Sequence, residues 1–223
     1  MERKKFLSKG IAALGLAIVA PMATSCKKDD DTSGGGGSGS CTVSPSETNG
    51  PYPIISPSSY VRSNIVGDRT GVAMTLTVTV QDLSNGCTAL AGVLVDVWHC
   101  DKDGNYSQYG SYTSVNWLRG RQTTDSSGKV TFTSIFPGWY TGRAPHIHIE
   151  ILSASGTSLL VSQLAFPVDV YTTVYASTGY NGAPDTSNAA DSIFSGSLSA
   201  NMVDAATGSV AAGYTILKTI TVA

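Results

Sequence analysis

The chain has 223 residues, enough for one domain with a substantial core. Its 14 Lys and Arg against 16 Asp and Glu leave a net charge of −2, which excludes the basic stripe of a nucleic-acid or polyanion binder. Charged residues are few and Gly, Ser and Thr many, the balance of an exported all-β protein.

The chain opens with Arg3, Lys4, Lys5 and Lys9, an apolar run from Gly10 to Met22, and then Ala23-Thr24-Ser25-Cys26. This reads as an export signal, too short and wrongly flanked for a spanning helix. Small residues directly before a cysteine resemble a lipobox. Residues 1–26 are therefore expected to be a lipoprotein-type signal, with Cys26 lipidated as the mature first residue. Arg3-Lys4 is read as an ordinary basic start rather than a twin-arginine signal. Residues 27–40, KKDDDTSGGGGSGS, cannot bury apolar surface and form a flexible tether. The expected location is extracytoplasmic, with membrane contact only through the N-terminal lipid. Residues 41–223 are left for the folded domain.

Three cysteines remain. In an oxidising compartment their arithmetic is one disulfide and one free thiol. Cys41 and Cys87 both sit in loop-like contexts and are expected to pair; Cys100 follows an apolar strand and reads as a buried thiol.

Past the tether the apolar period is two. Val72 to Val80 sets Val72, Met74, Leu76, Val78 and Val80 on one face, with Ala73 and three threonines opposite. Gly92–Trp98, Lys129–Phe132, His146–Leu152, Ser158–Phe166 and Tyr214–Val222 follow suit. Asp103-Gly104, Ser127-Gly128 and Ser155-Gly156 mark turns between them. No sustained helical stripe occurs, although Ala189–Ser195 could form a short helix. The fold class is an antiparallel β-sandwich.

In HIHIEI, His146, His148 and Glu150 share one strand face and Ile147, Ile149 and Ile151 the other. Residues two apart on a strand sit roughly 6–7 Å apart, so the two imidazoles can share a metal ion. Tyr140 precedes them in a Pro-Gly turn, and Arg143 lies between. His99 reads as a structural hydrogen-bonding residue, Asp125 as a turn residue, and the three tryptophans as core or pocket wall.

Four blocks in order resemble the intradiol ring-cleavage dioxygenases: ETNGPYP (47–53), VDVWHCDKDGNYS (95–107), RGRQTTDSSGKVTFTSIFPGWY (119–140) and GRAPHIH (142–148). The resemblance implies a non-haem Fe(III) site with Tyr106, Tyr140, His146 and His148 as ligands. Tyr106 is preferred to Tyr109 and Tyr112 by its spacing from Gly104. Tyr140 would also serve as a base. Arg143 would stabilise charge on the substrate, and Gln163 matches a glutamine near it. The implied partners are a small aromatic diol and O2, and the implied product is a cis,cis-muconate. Tyr140 and His146 are closer in sequence than in the catechol and protocatechuate enzymes, and their helical N-terminal dimerisation domain has no counterpart, which implies a more open site. Oligomeric state is left open. The alternative is a catalytically inactive β-sandwich binding or adhesion lipoprotein; the full set of two Tyr, two His and Arg143 favours the enzyme, because fold alone decides nothing.

Overall fold

A computed structural model of the protein describes residues 40–223; the expected export signal, Cys26 and tether residues 27–39 lie outside the described residues. The strands are β1 (Ala73–Asp82), β2 (Thr88–Ala89), β3 (Leu94–Trp98), β4 (Arg119–Thr123), β5 (Lys129–Ile135), β6 (His146–Leu152), β7 (Ser158–Ala165), β8 (Ala205–Ser209) and β9 (Gly213–Val222). Two short helices, α1 (Val168–Tyr175) and α2 (Leu198–Asn201), lie between β7 and β8.

One sheet has the order β2-β1-β9-β8, with β5 also paired to β1, and the other has the order β4-β3-β6-β7. Every named pairing is antiparallel except that of β1 with β9, which is parallel. The expected sandwich forms because the period-two faces meet. Met74, Leu76, Val78 and Val80 of β1 face the Val95 and Val97 side of β3 and Ile147, Ile149 and Ile151 of β6, all in one buried cluster. Burying each such side chain stabilises the fold by about 1.5–3 kcal/mol. Lys218 breaks the alternation of β9, yet its ammonium donates to the Ala200 and Met202 carbonyls at 2.7 Å, which satisfies the last turn of α2.

Two expectations about helix are corrected. Residues 189–195 form turns, because Ser187 Oγ and Asp191 Oδ1 accept from the Ala190 and Ile193 N–H groups and compete with a helical ladder. The eight-residue helix is instead Val168–Tyr175, whose Tyr171, Val174 and Tyr175 are buried in the core. The Cys41–Cys87 disulfide is present and Cys100 is a buried free thiol, as expected.

Candidate metal centre

With the isoleucines of β6 committed to the core, His146 and His148 project from the outer face of the four-stranded sheet. Register builds a row across that face: Arg119 of β4, Trp98 of β3, His148 of β6 and Gln163 of β7. Trp98 stacks on the His148 ring at 5.0 Å, with 3° between the planes. The next row holds the Asp96–Arg121 pair beside Glu150, so Glu150 faces an ion pair instead of orienting His148. Loops cover this face, and both histidines are buried although they point away from the sandwich core.

The tyrosines arrive on two loops pressed together. A Cβ at Gly104 would come within 2.5 Å of the Trp139 carbonyl oxygen, and one at Gly138 within 2.5 Å of the Asp101 and Lys102 oxygens. The Gly138 N–H also donates to the Asp101 carbonyl at 3.1 Å. Only glycine permits this approach, and it carries Tyr106 and Tyr140 to the same place. The Tyr175 hydroxyl of α1 braces the second loop by donating to the Pro137 carbonyl at 3.0 Å.

His146 Nε2 is the hub of the cluster. It lies 3.4 Å from the Tyr106 hydroxyl, 3.3 Å from the Tyr140 hydroxyl and 3.1 Å from His148 Nε2. His146 Nδ1 lies 2.6 Å from the Ala144 carbonyl, to which its N–H donates, leaving the Nε2 lone pair directed at the cluster. Arg143 Nη1 is 3.4 Å from both the Tyr140 hydroxyl and His146 Nε2. Its Nη2 donates to Gln163 Oε1 at 2.5 Å, and Gln163 in turn donates to the Thr48 carbonyl at 2.8 Å. All five residues expected around the metal therefore come together, with Gln163 holding Arg143. Tyr109 does not join them, for its hydroxyl donates to the Pro53 carbonyl at 2.9 Å. His99 is hydrogen-bonded to the Cys100 carbonyl and to Ser134, and Asp125 accepts two backbone N–H groups in its turn.

Sequence reasoning missed Asp191. Its carboxylate accepts from Arg143 Nε and from the Ala144 N–H, both at 2.8 Å, and its side chain is fully buried. It also missed Tyr52, whose ring stacks on Tyr106 at 4.7 Å. Only the Pro-Tyr at the end of the first block pointed to Tyr52; nothing in the sequence around Asp191 pointed to Arg143.

The electrostatics suit a cation. Burial, then the Arg143 charge, pushes His146 down to about 3, and burial with the neighbouring His146 holds His148 well below the ordinary range. Both imidazoles are thus neutral donors. Burial pushes Tyr106 well above the usual phenol range and raises Tyr140 as well, although Arg143 opposes the rise in both, so their ionisation calls for positive charge beyond that of Arg143. Two phenolates and two neutral imidazoles match the charge and hardness of a ferric ion. Among the described residues no three His, Cys, Asp or Glu side chains form a metal-holding group, so a metal at this point would need the tyrosines as ligands. A cavity of about 320 Å³ opens beside them, walled by Tyr52, Tyr106, Tyr109, Tyr112 and Tyr140 with Asn105, Ser111 and two glycines.

A family model described as Dioxygenase matches residues 55–181. Among curated proteins, the chain is 34% identical over 124 residues to a chlorocatechol 1,2-dioxygenase of Rhodococcus opacus, covering 47% of each. It is 32% identical over 106 residues to a protocatechuate 3,4-dioxygenase beta chain of Burkholderia cepacia, covering 42% of this chain and 45% of that one. The chain spans about half the length of these curated relatives. Among solved structures, an intradiol ring-cleavage dioxygenase from Tetranychus urticae superposes with a TM-score of 0.74 at 28% identity, over 82% of this chain and 95% of that one. The dioxygenase domain of a carbohydrate-binding fusion from Streptomyces sp. SirexAA-E gives 0.60 at 27% identity, over 81% and 97%.

Proposed function

This chain belongs to the intradiol ring-cleavage dioxygenases, a family that uses non-haem Fe(III), and on that premise we propose that it opens a catechol-type ring between its two hydroxyls with O2. One observation carries the reading: two phenols and two imidazoles meet at one point, beside the Arg143 guanidinium and a tyrosine-walled cavity. A β-sandwich binding module would have no use for that convergence.

Tyr106, Tyr140, His146 and His148 would hold the ferric ion. Bound there, it would supply the Lewis acidity and one-electron character that let a catechol react with O2. The protein supplies the rest. Tyr140 is half-buried and lines the cavity, where its phenolate oxygen is placed to take a proton from a catechol hydroxyl. Arg143, fixed by Asp191 and Gln163, holds positive charge where negative charge develops on the substrate. The tyrosine walls would orient the ring. Both oxygen atoms of O2 end in the product, a cis,cis-muconate. Reaction of the iron-loaded protein with catechol under 18O2 tests this: mass spectrometry should find a muconate carrying both labelled atoms. Singly labelled product or quinone alone would refute it.

We also propose that Cys26 is the lipidated first residue of an extracytoplasmic lipoprotein, which the Ala-Thr-Ser-Cys run and the Gly/Ser-rich stretch after it support. Radiolabelled palmitate should enter the expressed chain and be lost in Cys26→Ser; equal labelling of that variant would end the proposal.

A further inference from the structure

We infer that the ring-cleavage site takes catechols whose ring substituents are uncharged and discriminates against carboxylated ones. The inference rests on the function proposed above and goes beyond it to the class of substrate.

None of the nine residues lining the cavity carries a positive charge. Two cations touch its walls, and each is already engaged. Arg119 is buried beside Tyr106 and Tyr109, its guanidinium 5.8 and 5.4 Å from their ring centroids. Its N–H groups donate to the Ser107 carbonyl and hydroxyl and to the Tyr52 carbonyl. Arg143 is bound to the Asp191 carboxylate and to Gln163.

A substituent reaching into this cavity therefore meets phenol rings and the short polar side chains of Asn105 and Ser111. A carboxylate there would lose water without gaining a free side-chain cation, which is costly. An ester, alkyl or aryl group of similar size buries apolar surface against the same rings and does not meet that cost. The class favoured is thus a neutral substituted catechol.

The experiment compares two probes of nearly one shape, 3,4-dihydroxybenzoate and its methyl ester, by anaerobic optical titration of the iron-loaded protein. The ester should bind at least tenfold more tightly. Ser111 is exposed at the cavity, and Ser111→Arg should cut that preference by tenfold by supplying the missing charge. Acid binding as tightly as ester in the unaltered protein overturns the inference while leaving ring cleavage intact. A preference that Ser111→Arg does not change overturns it too, since the discrimination would then not arise from charge. If neither probe nor catechol alters the spectrum or consumes O2, the ring-cleavage reading itself falls, and this inference with it.

Discussion

Asp191 reaches Arg143 across 48 positions of sequence and joins it to the backbone at Ala144, two residues before His146. That contact sets the guanidinium's direction, since Nε is held by Asp191 while Nη1 points to Tyr140 and His146 and Nη2 to Gln163. Replacing the carboxylate by an amide keeps the shape and leaves a buried cation without its countercharge. Asp191→Asn should lower the unfolding free energy by about 3 kcal/mol and depress kcat far more than it raises KM. Urea unfolding and steady-state kinetics check this, and a folded variant with unchanged kcat would contradict the positioning role. The residues around Arg143 were legible in unequal measure. Tyr140, His146 and His148 sit within nine positions of one another, so local spacing announces them. Asp191 lies in a stretch of Ser, Asn, Ala and Asp with no period, and only the path of the chain brings it to the site.

At the level of elements, the two tyrosine loops act as one piece because neither glycine at their contact can carry a side chain. Gly138→Ala would force a methyl group against the Asp101 and Lys102 carbonyls. The expected cost is about 1–3 kcal/mol, together with displacement of Tyr140 from Tyr106 and loss of most bound iron. Iron content after dialysis and the melting temperature measure both effects; full iron retention would show that the loops are positioned by something else. Strands whose apolar residues alternate toward the core could be read from sequence. Helix α1 could not. Its run VDVYTTVY is rich in β-branched and aromatic residues that favour strands, and it becomes a helix because Pro167 precedes it and Tyr171, Val174 and Tyr175 pack inward. Strands β4 and β8, with sequences RGRQT and AATGS, lack an apolar alternation altogether. Pairing with β3 and β9 makes them strands.

Across the whole domain, the segment from Cys41 to Tyr52 ties the sandwich to its site. It is anchored by the disulfide to Cys87, then bonds to Thr221 of β9 in one sheet and Val161 of β7 in the other. It next meets Gln163 through the Thr48 carbonyl and Arg119 through the Tyr52 carbonyl, ending with Tyr52 stacked on Tyr106. The pairing of its cysteine was legible in the loop-like contexts of Cys41 and Cys87, but its course over both sheets is a tertiary property that no local pattern encodes. Everything the fold positions converges on the four donors, so the most direct measurement is the visible spectrum of the purified protein after ferric loading, before and after anaerobic catechol. A broad red-brown tyrosinate-to-iron band should appear, shift when catechol is added, and be lost or strongly altered in Tyr106→Phe and Tyr140→Phe. A protein that remains colourless with iron bound, or a band untouched by both substitutions, would contradict the metal centre and the function built on it.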